Sequence, residues 1–193
     1  LAPELLPASV LYARLLSDAA QKRKARALIE RTWSTTPHPD LAAAFVDLEA
    51  SEAPLDRLRR LEKLAAGNPE HPESRLALAR AALDAGLWGE GRRQLTPLAK
   101  AEPPDQRACA LMAELAERES NDREAAAQWW RRAESAVPPP AWVCGHCGAA
   151  SAQWTAHCGA CDSFDSLSWR SPTRILANDS APAPAPRAGV RPP

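Results

Sequence analysis

The sequence predicts an all-α fold, a short solenoid of about four helical hairpins, followed by a small module held together by four cysteines. Three observations predict it. Alanine, leucine, glutamate and arginine dominate residues 1–137 while valine, isoleucine and tyrosine are scarce, which favours helices on propensity grounds. Prolines recur at Pro37, Pro69, Pro103 and Pro138, at intervals of 32, 34 and 35 residues, a period that marks stacked repeats. Four of the five cysteines fall in the pattern C-x2-C-x10-C-x2-C.

Three of the four hairpins are justified by the same pair of positions, and the second has Arg57 where the small residue belongs. Twelve residues before the successive prolines stand Ala25, Arg57, Gly91 and Ala126, and eight before them stand Ile29, Leu61, Leu95 and Trp130. Small, then large apolar, then proline is the second half of a tetratricopeptide unit: the small residue lets the partner helix approach, the large one fills the gap, and the proline stops the helix. The first half is clearest in the third unit. There Leu78, Ala79 and Ala82 take the packing positions, Gly86 supplies a left-handed turn, and Trp88, Gly91, Leu95 and Leu98 form one apolar stripe. Asp40 and Asp105, each following prolines, are read as helix caps. A solenoid of this kind presents the first helix of each pair on its concave face. That face includes Arg75, Arg80 and Asp84, read as candidate partner-binding residues or as ordinary solvated charge.

From Pro138 the composition changes. Cys144 and Cys147, then Cys158 and Cys161, present two thiolates from each of two tight turns, which completes the tetrahedron zinc prefers. Gly145, Gly148 and Gly159 suit close approach of backbone to sulfur. Trp142, Trp154, Phe164 and Trp169 flank the motif, and a module of about 30 residues needs metal and aromatics to stand in for a core. The organisation expected is helical repeats over 1–138, a zinc ribbon or rubredoxin-like module over 139–170 packed on the last hairpin through Trp129 or Trp130, and a disordered Pro/Ala-rich tail over 171–193.

The stretch Cys144-Gly-His-Cys147 also matches a dithiol redox motif. That reading needs a cysteine at a helix N-terminus after a strand, and the flanking "PPPAWV" and "GAASAQW" do not supply it. Disulfides in an oxidising compartment are the third alternative. Iron suits four thiolates as well as zinc does, although the short loop between the pairs favours zinc. His146 and His157 are spare ligands or solvent-facing, and Cys109 reads as a small core residue. Four thiolates would close the metal site to water, and no nucleophile–base arrangement or phosphate loop accompanies it, so catalysis is not expected.

Charge gives no further partner. Twenty-four basic and twenty-four acidic residues are interspersed, which excludes a nucleic-acid stripe or a membrane-binding basic face. The chain opens at Leu1 with Met112 its only methionine, so sequence N-terminal to it is expected.

Three stretches, "KARALIERTWSTTPHPDLAAAF", "LMAELAERESNDREAAAQWWRRA" and the tryptophan-flanked cysteine pairs ending in "FDSLSWR", resemble the HemY-type tetratricopeptide membrane proteins of proteobacteria that carry a C-terminal cysteine module. A more distant likeness is to the lipopolysaccharide-assembly protein LapB. The resemblance implies an N-terminal membrane anchor outside this chain, a repeat domain on the cytoplasmic side of the inner membrane, and a link to haem or porphyrin metabolism. Asp162 departs from the pattern, standing where such knuckles often have glycine. Function is therefore expected to be a protein-binding scaffold with structural zinc; a dithiol redox protein and a haem- or porphyrin-binding protein are the alternatives.

Overall fold

The computed structural model describes residues 5–172; nearly all of the stretch read as a disordered tail, residues 173–193, lies outside the described residues. The helices come in four hairpins: α1 (Leu6–Asp18) with α2 (Lys22–Trp33), α3 (Pro39–Asp47) with α4 (Pro54–Ala65), α5 (Pro72–Asp84) with α6 (Trp88–Ala99), and α7 (Gln106–Ser120) with α8 (Arg123–Glu134). Strands β1 (Ala141–Cys144), β2 (Ala150–Ser151) and β3 (Leu167–Arg170) then form one antiparallel sheet in the order β2-β1-β3. No helix among the described residues is long and apolar enough to cross a membrane.

Each periodic proline lies four residues past a second helix, beyond Trp33, Ala65, Ala99 and Glu134. Within three hairpins the turn is made by one left-handed residue: Ala20 at φ 58°, Gly86 at 69° and Asn121 at 52°. The second hairpin has a longer turn and is joined by a buried guanidinium instead. Arg60 Nη1 donates to the Phe45 carbonyl at 2.5 Å, Nη2 to the Val46 carbonyl at 3.4 Å and Nε to Glu52 at 2.8 Å, with the Phe45 ring 4.6 Å away. The Phe45 carbonyl lies at the end of α3, where Arg60 supplies a donor from the next helix, and the Val46 carbonyl also accepts from the Glu49 amide at 3.1 Å.

Caps match the sequence reading at one site and correct it at another. Asp105 caps α7, accepting from the Arg107 amide at 2.8 Å and the Ala108 amide at 3.3 Å. Asp40 does not cap α3, because it already lies inside the first turn. The cap is His38, whose Nδ1 accepts from the Asp40 amide at 3.1 Å, and α5 is capped the same way by His71 and the Glu73 amide at 3.1 Å. A proline follows each histidine at the first helical position, where a missing N–H leaves no bond unmade.

Ala25, Ile29, Leu61, Leu95 and Ala126 are all buried at the small and large positions. A Cβ on Gly91 would stand 2.4 Å from Leu83 Cδ1, so any larger residue there would displace the buried Leu83 side chain. Arg57, at a small position, instead reaches Asp84 at 3.8 Å. Trp130 is 50% exposed; among the described residues no helix stacks beyond α8 to cover it.

The ribbon does not sit on the last hairpin, and the expected contact through Trp129 or Trp130 is corrected. Trp129 packs with the helical cluster of α5 to α8, around Leu83, Leu95 and Leu115. Trp142 is buried in the other cluster, with Trp33, Phe45 and Leu61 of the first hairpins. The reason is a reversal of the chain after α8. The Val137 amide donates to the Pro104 carbonyl at 2.9 Å and the Gln106 amide to the Val137 carbonyl at 3.3 Å, so the prolines that follow run back along the inter-repeat turns. There the His38 ring meets Trp169, with centroids 4.2 Å apart, and Trp142 at 5.8 Å.

Candidate metal centre and groove

The two cysteine turns are built alike. In the first, the Gly148 amide donates to the Cys144 carbonyl at 3.0 Å and the Cys144 amide to the Ala149 carbonyl at 2.9 Å. In the second, the Asp162 amide donates to the Cys158 carbonyl at 2.8 Å and the Cys158 amide to the Ser163 carbonyl at 3.0 Å. The residue after each second cysteine is left-handed, Gly148 at φ 76° and Asp162 at 59°. Aspartate tolerates that conformation better than most side chains, which accounts for the one departure from glycine. Gly159 has open space where a Cβ would go, so the glycine reading holds for Gly148 through its φ and not for Gly159.

The four sulfurs converge. Cys144 Sγ lies 3.8 Å from Cys161 Sγ and Cys147 Sγ 3.7 Å from Cys158 Sγ, each contact joining one turn to the other, and all four lie within 4.8 Å of one another. A tetrahedron with metal–sulfur bonds of about 2.3 Å has edges of about 3.8 Å, so these atoms can hold a metal ion. Iron and zinc require nearly the same edge, and the geometry does not separate them.

Electrostatics points the same way. The Ser166 hydroxyl, 3.2 Å from Cys144 Sγ, followed by backbone amides, pulls that thiol down to about 5. Cys161 is pushed up to about 12: the Ser163 backbone favours its thiolate, but burial and hydrogen bonding to the three other cysteines outweigh it. Crowded thiols release their protons in turn, and the last is released only when a cation offsets the accumulated charge. The amide of His146 also points at Cys144 Sγ, at 3.4 Å, a donor that stabilises sulfur charge.

Of the flanking aromatics, Trp142, Trp154 and Trp169 pack on the helical core. Phe164 does not; it is 69% exposed and lies against the His157 ring at 5.3 Å. Cys109 is fully buried in α7, and burial raises its thiol, as suits a core residue.

A second candidate site runs across α3, α5 and α7, the first helices of three hairpins. It comprises a cleft of about 650 Å³ and an adjoining one of about 300 Å³, which share Ala42, Ala77 and Arg80. Ala43, Ala81 and Ala110 extend the floor, and Leu76, Leu111 and Trp130 supply larger apolar surface. The charges beside it are paired with each other. Arg80 forks onto Glu114 with two bonds of 2.7 Å, Arg118 joins Glu114 at 2.9 Å, and Arg107 reaches Glu73 at 2.6 Å. Arg80 lines both clefts and Asp84 the smaller one. Arg75 lies around the helix from them and pairs with Glu70.

Comparisons with known proteins agree with this architecture. Residues 50–115 match the tetratricopeptide repeat family model, a stretch that runs from just before α4 into α7. The chain is 35% identical over 180 residues to a protein named "Probable magnetosome protein Mms48" from Magnetospirillum gryphiswaldense. That alignment covers 93% of this chain and 39% of the relative, so the chain spans well under half of the relative's length. No solved structure matches.

Proposed function

We propose that the chain is a non-catalytic protein-interaction scaffold. Its repeat domain, residues 1–138, holds an apolar segment of a protein partner in the α3, α5 and α7 groove. Its module, residues 139–170, is closed by a structural zinc ion on Cys144, Cys147, Cys158 and Cys161. The groove is the observation that carries this reading. A floor of alanines lets a partner backbone come close, while arginines already neutralised by carboxylates offer no free clamp for an acidic group. Arg80 and Asp84 are then rim residues that fix the shape of the groove.

Zinc on four thiolates has no open position for water, which supports a structural metal over a catalytic one. The lowered Cys144 thiol is the one feature that favours the dithiol alternative. Against it, Cys144 is fully buried at the end of a strand rather than exposed at a helix N-terminus. The resemblance to HemY-type proteins supports a tether to the cytoplasmic side of the inner membrane through sequence outside this chain, and a link to haem metabolism. The relative's name supports a different setting, the magnetosome. Protein capture by the groove is common to both.

Photo-crosslinking from position 77 in the native cell tests the scaffold. A defined polypeptide adduct, lost on Ala110→Asp, is expected. Adducts that are unaffected by Ala110→Asp, or none at all, would contradict the groove as the binding site.

A further inference from the structure

We propose that His38 is a positioning residue through which metal occupancy of the ribbon controls α3, one wall of the groove. The inference rests on the metal reading above and adds a regulatory link to it.

The link is a continuous set of contacts. Cys144 and Trp142 stand two positions apart on β1 and therefore share a face of the strand. Across the ladder they pair with Leu167 and Trp169 of β3. Trp142 and Trp169 in turn enclose the His38 ring, which is 1% exposed. Its Nδ1 is committed to the Asp40 amide, so the neutral ring carries its proton on Nε2, and that buried atom has no hydrogen-bond partner. The ring is thus oriented by the helix cap on one side and two indoles on the other. The next residue, Pro39, and Ala42 one turn on both line the groove.

Both ends of this set are weak alone. The ribbon has two strands of four residues and one of two, too little to hold Trp142 and Trp169 in place without metal. Helix α3 has nine residues, fewer than an isolated helix needs, so it depends on its cap, on Arg60 and on packing. Loss of the metal frees the indoles, and freeing the indoles releases the ring that caps α3.

The test is amide hydrogen exchange on the full chain, as purified and after chelation, with metal content measured on the same samples. Chelation is expected to speed exchange in Leu41–Val46 by about tenfold or more while Leu111–Leu115 of α7 stays unchanged. His38→Asn, which keeps a capping acceptor and removes the ring, and Trp169→Leu, which spares the cap, are expected to raise exchange at the same amides with metal still bound. Coupling is reciprocal, so His38→Asn should also lower metal affinity, read by chelator competition, by the factor that chelation imposes on α3. Unchanged exchange in α3 after verified metal loss, or unchanged metal affinity in His38→Asn, overturns the coupling and leaves the metal reading standing. A native chain without metal overturns both.

Discussion

The helical array and the ribbon solve the same problem in different ways. In the array each hairpin borrows its core from the next: Ile29, Leu61 and Leu95 are buried because another hairpin lies against them. Trp130 occupies the equivalent place and is half exposed without one. The ribbon has no neighbour of its own kind. Its core is replaced by four sulfurs on one side and, on the other, by Trp142, Trp154 and Trp169 lying on the array. A repeat can therefore lose one contact and keep its neighbours, whereas the ribbon loses everything when either of its two supports fails.

That contrast can be broken first at the sulfurs. Cys161→Ser, or chelation, should abolish metal binding and amide protection throughout residues 141–170, because metal binding energy of about 10 kcal/mol is folding energy in modules this small. Circular dichroism should show most helicity retained. Within the array, the largest single loss is expected at Arg60. Arg60→Ala removes the donor to the Phe45 carbonyl and the partner of the Glu52 carboxylate, at a cost of about 3 kcal/mol in urea unfolding.

Acid should act at the junction between the two regions. Burial lowers His38 from 6.5 to about 4, with the nearby Asp40 carboxylate, 3.6 Å away, opposing in part. Between those values the unfolded chain holds the proton and the folded chain does not, so stability falls as pH drops through that window. The loss is on the order of 3 kcal/mol once pH is below about 4. Protonation would also place a hydrogen on Nδ1, where the Asp40 amide now donates. His38→Asn should flatten this part of the pH profile of thermal unfolding. The smallest effect is expected at the uncovered end of the array, where Trp130→Gln should change stability by less than about 0.5 kcal/mol while weakening partner capture by the groove it lines.

Much of this was legible in the sequence because it is periodic. Proline spacing gave the hairpins, and small–large positions identified the buried faces, since both reflect one packing geometry repeated every 32 to 35 residues. The caps were partly legible. Asp105 was found by residue type, while His38 and His71 were missed because histidine is not among the usual cap residues. A signal was present all the same: His38, His71 and Asp105 fall 33 and 34 residues apart, in register with the prolines. The metal ligand set was legible in C-x2-C spacing. Its docking place was not, because the contact of Trp142 and Trp169 with His38 joins residues about a hundred positions apart and follows no period. Nor did composition signal Arg60, whose burial depends on carbonyls at the end of another helix.

The most direct measurement is metal stoichiometry and thiol reactivity on the same native sample, combined with cobalt substitution. One zinc per chain is expected, together with four thiols that react only after chelation and a cobalt spectrum showing tetrahedral sulfur coordination. A folded, metal-free chain whose four thiols react freely, or one that holds a Cys144–Cys147 disulfide, would contradict a metal-held ribbon seated on a helical scaffold.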